Sequence, residues 1–158
     1  MISYLENSNK FNFRVGGIIL SKDKSKVLLH RLSNFNFWLL PGGRVEMMEN
    51  TEESLIREME EEIGIKCSIN KLALSSETFF KLKEISYHEI AFYYILNPED
   101  AEILQKEEFC GIEGEKYIFK WFAIDELKNL DLRPDCIKEY LQDSKKEYKH
   151  IIKNDLNA

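Results

Sequence analysis

A chain of 158 residues, 44% hydrophobic and 32% charged, is long enough for one domain with a sizeable core and has the balance of an ordinary soluble globular protein. Its net charge of −6, with no basic cluster denser than Lys145-Lys146, excludes a stripe that tracks nucleic-acid phosphates, so no polymeric nucleic acid is expected as a partner. Apolar runs such as Gly16-Gly17-Ile18-Ile19-Leu20 are too short to span a bilayer, and Met1 to Asn7 lacks the basic start and apolar middle of a signal peptide, which together predict a cytoplasmic protein with no membrane partner.

In chain order, Phe13 to Leu20 and Lys26 to Leu32 read as strands joined by the polar turn Ser21 to Ser25. Trp38-Leu39-Leu40 is a short apolar run stopped by the loop signal Pro41-Gly42-Gly43. Asn50 with Glu53 has the spacing of a capping box, which predicts a helix to about Ile63, ended by Gly64 and buried along Leu55, Ile56, Met59 and Ile63. Strands follow near Leu72–Leu82 and Tyr87–Leu96; the second is apolar on both alternating faces, as in a sheet covered by helices on both sides. A poorly patterned stretch runs to Lys116, then a strand over Tyr117–Phe122, helical turns over Asp125–Lys128 and Pro134–Leu141, and a charged tail over residues 143–158 expected to be helical. The fold class is α/β (α+β), with a mixed sheet between helices, in a single domain over 1–158. Cys67, Cys110 and Cys136 are odd in number and widely spaced, which suggests neither a disulfide framework nor a zinc site.

Acidity is concentrated in one place, with eight glutamates between Glu46 and Glu62. On a helix Glu58, Glu61 and Glu62 stand at i, i+3 and i+4, share one patch and flank the apolar stripe. Three like charges so close repel one another unless a cation neutralises them, and hard oxygen donors suit Mg²⁺ or Mn²⁺. A solvated acidic helix face is the bland alternative. The glycine pair just upstream shifts the balance, because its backbone can approach a ligand closely or offer a carbonyl to a metal.

Gly43, five residues, Glu49, seven residues and then Arg57-Glu58-Met59-Glu60-Glu61-Glu62-Ile63-Gly64-Ile65 resembles the Nudix box, G-x5-E-x7-R-E-U-x-E-E-x-G-U with U apolar. Seven fixed residues, each at a frequency near 1 in 15, would coincide by chance about once in 10⁸ starts. Weaker likeness runs from Arg14 to about Leu141, and Met48 stands where many members carry glycine. The resemblance implies a Nudix α/β/α sandwich with the box as loop–helix–loop. It also implies Mg²⁺-dependent hydrolysis, with Mn²⁺ as a substitute, of a nucleoside diphosphate linked to another moiety. By position, Glu58, Glu61 and Glu62 match the metal-binding glutamates, with Gly42 or Gly43 as a carbonyl donor. Arg57 matches the arginine that orients them, and Glu49 the supporting glutamate.

The general base stays open between Glu58 and a carboxylate elsewhere: Glu89, Glu107, Glu108, Glu113 or Glu115. Arg31 and Arg44 are candidates for substrate phosphates, and Phe80, beside Phe79, for stacking on a base. His88 reads as packing or a polar substrate contact, and His30 as a strand-end residue. A modified nucleoside triphosphate, a nucleotide sugar and ADP-ribose all remain as substrates. A non-catalytic Nudix-fold nucleotide sensor is the alternative function. A plain structural or interaction protein, with Tyr148, Ile151, Ile152 and Leu156 as a contact stripe, is a third reading, and a homodimer stays open as a partner.

Overall fold

The computed structural model describes residues 1–157. Its strands in chain order are β1 (Ser3–Glu6), β2 (Asn9–Ile18), β3 (Lys26–Leu32) and β4 (Gly42–Arg44), followed by helix α1 (Thr51–Glu62). The long pair β5 (Cys67–Leu82) and β6 (Ile85–Pro98) comes next, then β7 (Glu108–Gly111), β8 (Gly114–Ala123), helix α2 (Cys136–Gln142) and β9 (Lys149–Asn154). Six strands form a mixed sheet in the order β1-β2-β6-β5-β9, with β4 also paired to β2. The β2/β6 and β5/β9 pairs are parallel and the others antiparallel. A second, antiparallel sheet runs β3-β8-β7.

The doubly apolar pattern of β6 has a direct cause. Ala91 and Tyr93 point into one core with Ile137, Tyr140 and Leu141 of α2, while Tyr94 and Leu96 point into a second with Leu55 and Met59 of α1. The mixed sheet is thus sandwiched by α1 and α2, as its pattern predicts. Phe119 and Trp121 of β8 extend the α1-side core, so the second sheet packs against the same helix.

Helix α1 begins and ends as its sequence signals. The Asn50 side chain accepts from the Glu53 amide at 2.9 Å, and the Glu53 carboxylate accepts from the Asn50 amide at 3.1 Å. At the other end Gly64 takes φ of +76°, a conformation that costs a residue with a Cβ, and its amide closes the last turn onto the Met59 and Glu60 carbonyls.

Four expectations are corrected. The tail over 143–158 is not helical: Lys149–Asn154 adds as strand β9 to the free edge of β5, whose unpaired backbone groups it satisfies. Strand alternation also splits the supposed contact stripe. Ile151 packs against the α2-side core and Tyr148 shares a hydrogen bond with Ser75, whereas Ile152 and Leu156 stay exposed. Gly42–Arg44 is a short strand instead of a plain loop, because it pairs with Arg14–Gly16. The poorly patterned stretch before Lys116 contains β7, whose pairing with β8 is non-periodic in sequence terms because a bulge interrupts it at Gly111. All three cysteines are free thiols, and burial lifts Cys67 and Cys136 to about 11.

Replacing Asn50 with Ala removes both the acceptor for the Glu53 amide and its partner's preferred geometry. It should cost about 1 kcal/mol in urea unfolding with an unchanged m-value. No measurable loss would show that the capping box contributes nothing to the stability of α1.

Candidate active site

The buried stripe Leu55, Met59 and Ile63 fixes the rotation of α1, and this places Glu58 and Glu62, one turn apart, at the margin of the core. Their side chains are 14% and 13% exposed, against 58% for Glu61. Strand β4 approaches the same margin. A Cβ on Gly43 would overlap the Glu58 carboxyl group, so only glycine allows the strand and that carboxylate to touch.

Arg57 binds these parts together. Its Nε donates to Glu49 at 2.8 Å and its Nη2 to the other Glu49 oxygen at 3.0 Å, a bidentate pair. Its Nη1 donates to Glu58 at 3.0 Å and Glu61 at 3.1 Å, and Nη2 also reaches Ser54 Oγ and the Arg44 carbonyl. The hydrogen bond from Arg57 holds the Glu49 carboxyl down at about 2, and Glu49 in turn makes the Arg57 proton harder to remove.

Glu58 and Glu62 shift the other way. Burial raises the Glu58 carboxyl, against the pull of Arg57. Burial lifts Glu62 to about 8, the negative charge of Glu58 adds to the shift, and the Gly42 amide opposes it. Glu62 Oε2 has no hydrogen-bond partner, and His30 Nδ1 lies 3.9 Å away, inside the protein. Burial pushes the His30 ring down to about 3, with the positive charge of Arg14 in the same direction. Among the described residues no three His, Cys, Asp or Glu side chains stand together as a ready metal cage, because Glu61 is turned to Arg57.

Arg57 therefore gathers Glu49, Glu58 and Glu61, and Gly43 and Gly42 meet Glu58 and Glu62. The three helix glutamates expected to share one metal patch are not clustered, and the proposed substrate contacts Arg31, Arg44 and Phe80 do not join them. Arg31 donates to the Phe35 carbonyl at 3.0 Å and lies 5.3 Å over the Trp38 ring. The Arg44 guanidinium lies against Met1 Sδ, and only its backbone carbonyl meets Arg57. Phe80 stacks on Tyr87 at 5.0 Å, and Tyr87 pairs with Lys10, four residues along β2 from Arg14, roughly 13 Å along the sheet.

Arg14 was missed in the sequence. It is in no ion pair among the described residues, yet its charge acts on Glu58, Glu62 and His30. The signal was its place next to Val15, whose pairing with Gly43 brings β2 to the box. Of the carboxylates outside the helix, Glu113 in the β7–β8 turn acts on Glu62, whereas Glu107 is bound to Lys26 at 3.3 Å. That turn is held to the helix end by the Ile112 amide, which donates to the Glu62 carbonyl at 2.9 Å.

The family model described as the NUDIX domain matches residues 10–143. The chain belongs to the Nudix family. As a Nudix hydrolase it acts on acid anhydrides of phosphorus compounds. It is 31% identical over 121 residues to an 8-oxo-dGTP diphosphatase of Buchnera aphidicola, covering 75% of this chain and 82% of the relative. Several other curated relatives are longer, and the chain spans between 32% and 42% of their length. A Nudix hydrolase from Nitrosomonas europaea shares the fold with a TM-score of 0.64 at 23% identity, over 96% of this chain and 81% of that one. A MutT protein from Bacillus halodurans does so with a TM-score of 0.60 at 17% identity, over 91% of each chain.

The two buried groups set opposite pH dependences in this Nudix hydrolase when metal is withheld. Glu62 has a folded value above its unfolded 4.5, so the folded state binds more protons and stability declines as pH rises from about 4.5 to 8. His30 has a folded value below its unfolded 6.5, so its contribution is lost as pH falls from 6.5 towards 3. Between pH 6.5 and 8 Glu62 dominates. Urea unfolding in EDTA should show stability falling across that window, and Glu62→Gln should flatten it; a slope unchanged in the variant would place its source elsewhere.

Proposed function

We propose that this hydrolase cleaves a pyrophosphate linkage in a small nucleoside diphosphate derivative with Mg²⁺, or Mn²⁺ in its place. The observation that carries this is the pair of largely covered carboxylates, Glu58 and Glu62, one turn apart with the buried Glu62 Oε2 unpartnered. Crowded, desolvated like charges are unfavourable alone and suit a hard divalent cation, and the donors on offer are all oxygens. Glu58 and Glu62 would hold it, with Glu61 joining on release from Arg57 and a carbonyl from Gly42 or Gly43 completing the set. A divalent cation, when bound, supplies neutralising charge to the pyrophosphate oxygens.

The remaining work falls to the chain. Arg57 keeps Glu58 oriented and locks Glu49 as a permanent anion beside it. A carboxylate accepts a proton from the attacking water as its oxygen bonds to phosphorus and the anhydride P–O bond breaks. Glu58 on the helix and Glu113 at its end are the groups best supported for that step. Arg14, whose charge acts on both carboxylates and which is in no ion pair among the described residues, is a cation available for a phosphate of the substrate. The sheet face that carries Arg14 continues through Glu89 to the stacked Phe80–Tyr87 pair, a surface suited to a nucleobase. The 8-oxo-dGTP diphosphatase relative puts a modified nucleoside triphosphate first among substrates to test, ahead of nucleotide sugars and ADP-ribose.

A panel of these compounds, assayed for phosphate products with and without Mg²⁺, identifies the substrate. On that substrate Glu58→Gln and Glu62→Gln should each lower kcat by about 10³ or more, several kcal/mol at about 1.4 kcal/mol per tenfold. Glu60→Gln is the control, because Glu60 is exposed on the far side of the helix, and it should turn over like the parent. Equal damage from Glu60→Gln, or full activity in all three, would return the acidic helix to a solvated surface.

A further inference from the structure

Helix α1 offers two carboxylates to the site, and the structure treats them differently. One oxygen of Glu58 is fixed by Arg57 Nη1 at 3.0 Å, which leaves its partner oxygen free to bind. Glu62 Oε2 has nothing comparable, although it is buried. Facing it at 3.9 Å is His30, 2% exposed, with both ring nitrogens also unpartnered. Three orphaned polar atoms in one buried place are unusual, since buried donors and acceptors are almost always paired. A single hydrogen bond from Nδ1 to Oε2 satisfies two of them and needs an approach of roughly 1 Å to reach ordinary N–H···O distances.

The His30 ring is held firmly enough to act as a template. Its amide donates to the Leu39 carbonyl at 2.9 Å and its carbonyl accepts from the Leu39 amide at 2.8 Å. On β3 it pairs with Phe119 of β8. The ring lies 5.3 Å from the Phe119 ring and stacks on Tyr117 at 6.1 Å, with planes 13° apart. Packing alone needs no nitrogen there, because a phenyl ring fills the same slot. His88 makes the contrast: one of its nitrogens is also unpartnered, but it is wedged between Phe11 and Phe79 with no ion-pair partner among the described residues.

We propose that His30 is a positioning residue of this hydrolase, its neutral ring donating from Nδ1 to Oε2 of Glu62 and so leaving the other carboxylate oxygen for the divalent cation. Carboxylates that ligate metals are themselves usually hydrogen-bonded from behind, and loss of such a partner weakens metal binding. Arg57 does this for Glu58 and His30 does it for Glu62. The role of His30 depends on Glu62 being a ligand, as proposed above.

Mn²⁺ binding to the full chain, followed by the EPR signal of the free ion, tests this without turnover. His30→Phe keeps the ring and removes the donor; it should weaken Mn²⁺ binding by about 10- to 100-fold with the circular dichroism of the parent. His30→Asn, whose side-chain amide nitrogen occupies the place of Nδ1, should restore affinity to within about threefold of the parent. His30→Phe binding Mn²⁺ as tightly as the parent would overturn the proposal, as would His30→Asn binding no better than His30→Phe. Should His30→Phe not fold, ¹⁵N spectra of the parent decide. Saturating Mg²⁺ should give a neutral ring protonated at Nδ1, and a ring protonated at Nε2 alone rejects the role. Failure of Glu62 as a ligand reads differently: Glu62→Gln then binds Mn²⁺ as the parent does, and His30 loses its role with it.

Discussion

Everything at the acidic end of this molecule depends on the Arg57 guanidinium. It donates to six oxygens on five residues from three pieces of chain: both carboxylate oxygens of Glu49 before the helix, Ser54, Glu58 and Glu61 on it, and the Arg44 carbonyl on β4. Without that one cation, the loop and helix would present like charges to each other and separate. A planar fork of donors can satisfy several carboxylates at fixed angles, which the point charge of a lysine cannot do. Arg57 also sorts the acids by behaviour: Glu49 is held as an anion, while Glu58 and Glu62, deeper in the fold, are made reluctant to ionise.

The fold supplies the depth. Strand β2 is central, because it pairs with β6 in the sheet and with β4 at the site, and it carries Arg14 into the field of Glu58 and Glu62. The apolar stripe of α1 turns the helix so that these glutamates fall at the edge of the core. Strand β3 brings His30 up from beneath, and the β7–β8 turn closes the helix end. Four separate elements therefore meet at two carboxylates.

Much of this was legible in the chain. Asn50, Glu53 and Gly64 marked the helix through capping chemistry that acts within a few residues, and the i, i+3, i+4 spacing of Glu58, Glu61 and Glu62 is local as well. The two-faced apolar run of β6 revealed a covered central strand. What escaped depends on contacts far apart in sequence. Arg14 and His30 look like ordinary strand residues until β4 and α1 are packed on them. The tail Lys149–Asn154 carries enough charge to resemble a surface helix, and only the open edge of β5 makes it a strand. The charge of Arg31 and Arg44 suggests phosphate contacts, but local partners at Phe35 and Met1 claim both.

The contact between Gly43 and Glu58 has one more implication. Backbone and carboxylate touch with no side chain between them, so the spacing there is set by the peptide of β4 on one side and by the Arg57-held carboxylate on the other. A side chain at position 43 would have to push the Glu58 carboxyl group aside and so disturb its bond to Arg57. By contrast, Glu89 and Tyr87 of β6 and Phe80 of β5 make no bond to the Arg57 cluster, so exchanges there leave the Gly43–Glu58 spacing as it is.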